Sequence, residues 1–173
     1  MVCGMSSSNA FKPPVINGVG PSTVGIPANT TLSAIDFLTS KFSAIAREEW
    51  LSRFETGQIL NVAGRVMAPQ DSLHNQSHLH YYRSIRNEPE LPFKATVIFQ
   101  DEFLVVADKP HFMPVTPGGR YVQQSLLVQL KQQLKLPELS PVHRIDRETA
   151  GLVVFSVRAK DRNAYQELFR LRQ

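Results

Sequence analysis

The sequence predicts an α+β protein in two parts, and three observations carry that reading. Between residues 32 and 54, apolar residues recur at helical spacing. In 96–107 and again in 152–157, short runs rich in Val, Ile and Phe read as strands. Between these two regimes, Asn87-Glu88-Pro89-Glu90-Leu91-Pro92 sets two prolines and two acids within six residues, the composition of a linker. The expected divisions are a poorly ordered leader or extended arm (1–29), a small domain (30–86), the linker (87–94) and a second domain (95–173).

In the small domain, Ser33 is placed to cap a helix carrying Ile35, Phe37, Leu38 and Phe42. Ser43 is expected to cap a second helix with Ile45, Trp50, Leu51 and Phe54. Glu48 and Glu49 would sit in its first turn, and Gly57 would end it. Residues 58–66 read as two short strands around an Ala63-Gly64 turn, and 78–85 as one more strand. In the second domain, 96–99 and 103–107 form a hairpin. Residues 125–134 form a helix with Leu126, Leu127, Leu130 and Leu134 on one face. Residues 142–145 and 152–157 are strands, and 159–171 is a helix with Ala164, Leu168 and Leu171 inward. That last helix shows no stop signal, so the chain reads as an N-terminal fragment of something longer.

Composition narrows the function. With 42% hydrophobic residues the chain can bury a core, and its net charge of +4 and pI of about 9.4 suit a polyanionic partner without requiring one. From residue 141 onward seven Lys or Arg face four acids, so the basic character gathers toward the end. The single cysteine, Cys3, excludes an internal disulfide framework. No apolar stretch approaches the roughly 20 residues of a membrane span. A cytoplasmic protein is expected.

The chemistry concentrates in His143-Arg144-Ile145-Asp146-Arg147-Glu148-Thr149-Ala150-Gly151 and the apolar run after it. One carboxylate, Asp146, lies between two arginines in a turn that ends at glycine. The flanking cations favour its ionised form and attract phosphate. A plain turn with a capping aspartate and solvated arginines is the alternative on these residues alone.

The full string H-R-I-D-x-x-T-A-G-L-V-V-F resembles the signature of the RluA-type pseudouridine synthases, H-R-L-D-x-x-T-S-G-L-L-L, with Ile145 for Leu and Ala150 for Ser. Three further segments match that family in order. They are the strands ending in Asp108-Lys109-Pro110, the loop Val115-Thr116-Pro117-Gly118-Gly119, and the approach Leu136-Pro137-Glu138-Leu139-Ser140-Pro141-Val142. After Lys-Pro the family usually has a small residue and a glycine, whereas this chain has His111-Phe112. The helix, helix, hairpin order of roughly 32–85 resembles the small RNA-binding domain named after a ribosomal small-subunit protein.

The resemblance implies the first part of a mixed, largely antiparallel synthase sheet and an enzyme that isomerises uridine to pseudouridine in structured RNA, ribosomal or transfer. It makes Asp146 the catalyst and Arg144 the residue that inserts into the RNA. Arg147 would contact RNA, as would Arg47, Arg53 and Arg65 in the small domain. His143 would be a structural strand residue rather than a general acid, and Thr149 and Gly151 would shape the turn, Thr149 through its hydroxyl. The reaction calls for neither cofactor nor metal. The family's base-stacking aromatic and the basic partner of its aspartate have no match here, which implies that the 173 residues alone are inactive. A non-catalytic RNA-binding module is the competing reading, and a carboxylate-dependent hydrolase that shares the turn is a third. His74, His78 and His80 form an H-x3-H-x-H pattern with only Asp71 close by. That set is weak for a metal, and none is expected.

Overall fold

A computed structural model describes residue 11 and residues 13–85 and 87–172. The chain divides into two compact units. The first comprises residues 20–83 with the described residues up to Pro14, and the second comprises 15–19 and 84 onward.

The first unit contains β1 (Ser22–Gly25), α1 (Ala34–Lys41), α2 (Arg47–Glu55), β2 (Ile59–Asn61) and β3 (His78–Tyr81). Helix α1 starts where Ser33 predicts. The Asp36 amide donates to the Ser33 hydroxyl oxygen (3.3 Å), and that hydroxyl donates to the Asp36 carboxylate (2.6 Å). Helix α2 starts later than Ser43 predicts. Residues 42–45 close a turn of their own, the Ile45 amide donating to the Phe42 carbonyl at 2.9 Å. The helix therefore follows an extended Ala46 that offers no side-chain cap. Glu48 and Glu49 in its first turn favour the positive end of its dipole. Both helices bury Ile35, Leu38, Trp50 and Phe54 against Ile59 and Leu79 of the sheet. Phe42, Trp50 and Tyr81 add a cluster of rings with centroids 5.4–5.6 Å apart.

The sheet order β1-β3-β2 departs from the sequence reading twice. Strand β1 comes from the stretch read as a leader, and its alternating Ser22-Thr23-Val24-Gly25 pairs antiparallel with β3, Val24 opposite Leu79. The stretch is an extended arm over these residues, while residues 1–10 lie outside those described. Second, the outgoing arm of the 58–66 hairpin shrinks to one bridge, Leu60 with Val66. The buried Asn61 side-chain oxygen accepts the amides of Ala63 (3.0 Å) and Arg65 (2.9 Å) and curls the chain into a loop. The regular partner of β2 is β3, with Ile59 opposite Tyr81.

The second unit contains β4 (Thr96–Gln100), β5 (Leu104–Lys109), α3 (Leu126–Leu134), β6 (Ser140–Pro141), β7 (Gly151–Ser156) and α4 (Arg162–Leu171). Its sheet runs β4-β5-β7-β6, antiparallel throughout. A register shift between Val97 and Phe99 bulges β4, the edge strand, where Ile98 and Phe99 are exposed. The pairs Val105–Phe155, Ala107–Val153 and Lys109–Gly151 put residues 105, 107 and 109 on one face. Leu126 and Leu130 of α3 cover that face together with Met113, Val115 and Leu139.

Three expectations change in this unit. Residues 87–94 are no free linker. The Glu88 carboxylate accepts the amides of Val122 (2.6 Å), Gln123 (2.9 Å) and Gln124 (2.8 Å), donors that the turn ahead of α3 leaves without partners in the helix. The strand expected over 142–145 is confined to Ser140–Pro141, plus one bond from the Val142 amide to the Val154 carbonyl (2.8 Å). The Val154 amide then donates to His143 Nε2 (3.1 Å) rather than to backbone, and the ladder ends. In α4, Leu168 and Leu171 are 45% and 53% exposed, not inward. The helix is held instead by Phe169 stacked on the His143 ring at 4.2 Å and by bonds from Arg162 to the Glu138 carbonyl and from Gln166 to the Pro141 carbonyl.

Replacing Asn61 with Ala strands two amides beside the first core, at a cost of about 2 kcal/mol. Asn61→Asp keeps the acceptor and should lose much less. Urea unfolding midpoints of the two variants check the difference.

Candidate active site

Residues 142–150 link β6 to β7 as a loop closed by a tight turn, the Thr149 amide donating to the Asp146 carbonyl at 3.1 Å. The backbone of Thr149 thus closes the turn, where the sequence suggested its hydroxyl. Gly151 opens β7 at φ +142°, where a side chain is strained even though a Cβ would meet only Ile145 Cδ1, at 3.9 Å.

Two side chains from the end of β5 hold this turn. The Lys109 ammonium is fully buried and donates to the carbonyls of Pro110 (2.9 Å), Met113 (2.7 Å) and Arg147 (3.2 Å). An ammonium has three hydrogens, and three carbonyls take them. Burial lowers its pKa, and Glu148 partly opposes that. One residue after Pro110, His111 Nδ1 lies 2.6 Å from the Glu148 carbonyl. A carbonyl only accepts, so this nitrogen carries the proton. The residues on both sides of the 147–148 peptide are thereby fixed to the loop that follows β5.

A cleft of about 480 Å³ opens beside the turn. Pro114, Val115 and Thr116 form one wall, and Arg144, Ile145, Asp146 and Arg147 the other. Asp146 and Arg144 are exposed, and among the described residues no ion pair joins Asp146 to either arginine. Arg147 turns instead to Glu148, Nη2 to Oε1 at 2.8 Å, with its guanidinium 5.8 Å from the Tyr121 ring. Hydrogen bonding to Glu148 raises the Arg147 pKa, and the same contact lowers that of Glu148. The arrangement offers a solvent-facing carboxylate with one adjacent uncommitted guanidinium, Arg144.

His143 stands behind the turn. Because Nε2 accepts the Val154 amide, its ring is neutral with the hydrogen on Nδ1, and burial lowers its pKa. It holds β7 and Phe169 together.

The basic residues read on the small domain fare differently. Arg53 is only 5% exposed, pairs with Glu49, and stacks over Trp50 at 4.6 Å. It is a core residue of α2 and is removed from any RNA-facing set. Arg47 pairs with Asp36 at 2.8 Å, and Arg65 with Asp71 at 3.3 Å, both from exposed positions. Asp36 is held below the usual carboxylate range by the Ser33 hydroxyl first and by Arg47 second. His80 bonds Thr23 (3.0 Å), and its ring lies 4.8 Å from that of His78, which bonds Ser77 (2.9 Å). No group of three metal-ligating side chains forms among the described residues.

Sequence reasoning gave Lys109 and His111 no role. The available signal was a lysine ending an apolar strand directly before proline, a place where a cation is buried and needs carbonyl acceptors.

Residues 103–173 match the family model described as RNA pseudouridylate synthase. An uncharacterised RNA pseudouridine synthase of Synechocystis is 36% identical over 136 residues, which cover 79% of this chain and 46% of that protein. RNA pseudouridine synthase 5 of Arabidopsis thaliana is 32% identical over 72% of this chain and 36% of its own length. Human pseudouridylate synthase RPUSD2 is 33% identical over 67% of this chain and 20% of its own length. A solved structure of human RNA pseudouridylate synthase domain containing 4 is 36% identical, with a TM-score of 0.38 over 44% of this chain and 30% of that one.

The matched sequence defines the class, that of the RNA pseudouridine synthases. The chain belongs within it to the RluA-type RNA pseudouridine synthase family. It spans less than half the length of these relatives.

Two outcomes follow for the turn. Lys109→Met leaves three carbonyls without their donor and should destabilise the second unit by about 2–3 kcal/mol, read by chemical denaturation. For His143, the folded pKa lies below the unfolded value of about 6.5. Its contribution to stability is complete above that pH and is lost as pH falls toward the folded value. His143→Gln keeps an acceptor but does not titrate, and should flatten part of the decline measured between about pH 7.5 and 5.

Proposed function

We propose that the protein isomerises uridine to pseudouridine in structured RNA, ribosomal or transfer, with Asp146 as the group that acts on the nucleotide. The observation that carries this reading is the Asp146 carboxylate itself. It faces an open cleft on a turn fixed through Lys109 and His111, inside the segment that matches the family.

The reaction exchanges the bond from uracil N1 to sugar C1′ for a bond from C5 to C1′. A proton leaves C5 and one returns to N1, so no atom is gained or lost. An ionised carboxylate supplies the nucleophile this needs, whether it adds first to sugar or base. The uridine must leave its stack to reach Asp146, at a cost of a few kcal/mol. Arg144, without a carboxylate partner among the described residues, fills the gap with a planar cation that stacks on bases and bonds phosphate. Arg147 follows once phosphate competes with Glu148. On the first unit, Arg47 and Arg65 add phosphate contacts, because exposed ion pairs of their kind hold only weakly.

No helix among the described residues is long and apolar enough to cross a membrane. We place the protein in the cytoplasm with structured RNA as its partner.

Pseudouridine mapping in cells that lack the gene, complemented with variants, tests the proposal. Asp146→Asn should abolish the modification while the purified protein binds RNA as well as before or more tightly. Asp146→Glu displaces the oxygens by about 1 Å and should lower the rate roughly a hundredfold. Near-normal modification with Asp146→Asn would sink the reading.

A further inference from the structure

The loop after β5 carries an aromatic residue that neither the core nor the backbone calls for. Phe112 is 52% exposed, and its only ring neighbour among the described residues is His111, with centroids 6.0 Å apart. Its φ is +65°, the left-handed region that glycine enters freely and a residue with a Cβ enters at a cost. A glycine would follow the same path without strain and without exposing a ring to water. Strain that persists at one residue directs attention to function.

The loop is also held rigid on both sides of that residue. The carbonyls of Pro110 and Met113 share the Lys109 ammonium, and the Met113 side chain is buried. His111 is bonded to the Glu148 carbonyl, two residues beyond Asp146. Pro114, two residues beyond Phe112, already lines the Asp146 cleft. The ring therefore stands on a stiff loop that runs on into the cleft wall at Pro114, fastened through the same ammonium that fastens the Asp146 turn.

We infer that Phe112 is a stacking platform for an unpaired RNA base adjacent to the nucleotide that enters the Asp146 cleft. The inference rests on the reading of the substrate as RNA and adds a contact to it. A phenyl face accepts any base, so it selects for a splayed, single-stranded neighbour and not for one sequence. A stacked uridine flanked by paired bases on both sides would offer nothing to this ring. The preferred target is thus a uridine in a loop or bulge, or at the end of a stem.

Two measurements on the same variants separate this role from a structural one. The probe is a hairpin RNA whose single-stranded loop carries one 2-aminopurine, moved position by position. Phe112→Gly removes the strain and should raise the unfolding temperature by about 2–4 °C. It should weaken binding of the hairpin about tenfold and abolish the fluorescence quenching seen at one loop position. Phe112→Tyr keeps a ring and should bind within about twofold of the original protein. A Phe112→Gly protein that binds as tightly as the original overturns the inference, and so does a Phe112→Tyr protein as weak as Phe112→Gly. If either happens while Asp146→Asn still abolishes pseudouridine in cells, only the stacking role falls. Failure of the unaltered protein to bind any of the hairpins overturns the stacking role and counts against RNA as substrate.

Discussion

The second unit is organised around one buried cation. Lys109 ends the central strand β5, points into the face covered by α3, and satisfies all three of its hydrogens with main-chain carbonyls. A charge in that position is tolerated only because each donor is matched. The requirement works in both directions. The ammonium needs Pro110, Met113 and Arg147 at fixed places, so the loop after β5 and the turn before β7 take their shapes from it. Hydrophobic burial of Val105, Ala107, Val153 and Phe155 builds the sheet, but it does not say where a turn at the sheet's end should face. Directional bonds to one nitrogen do.

Much of this was legible in the residues. The helix start at Ser33, the hairpin 96–107, helix 126–134 and the turn around Asp146 follow from capping chemistry, β-branched runs and turn composition. Three of the misplaced features share a cause. At Asn61, Glu88 and His143 a side chain takes backbone amides that a local pattern assigns to backbone or to water. Such substitutions leave no periodic trace, because one polar residue at one position decides them. Arg53 is the reverse case. Its spacing on α2 fits an exposed face, yet the Trp50 ring and Glu49 make the interior favourable for it. In the site, the Asp146 motif could be read directly. Its support by Lys109 and His111 could not, since residues 38 and 37 positions apart carry it.

The two units solve the same problem of unpaired amides with different acceptors. In the first, an amide oxygen at Asn61 stops a strand and turns the chain. In the second, a carboxylate at Glu88 gathers three donors ahead of a helix, and an imidazole ends a ladder. Asn61 and His143 are short and stiff relative to lysine or arginine, so little side-chain entropy is lost in fixing them.

The bulge in β4 has a bearing on solubility. An outer strand with exposed Ile98 and Phe99 is the kind of element on which another chain can add itself as a neighbour, strand upon strand. The register shift at Val97 interrupts the even row of donors and acceptors that such templating needs and adds local twist. The opposite border, β6, is only two residues long and offers too little ladder to grow. Both margins of the sheet are thus guarded by geometry where charge is sparse. Straightening β4 by deleting one residue of the bulge would expose the protein to self-association before it cost much folding stability.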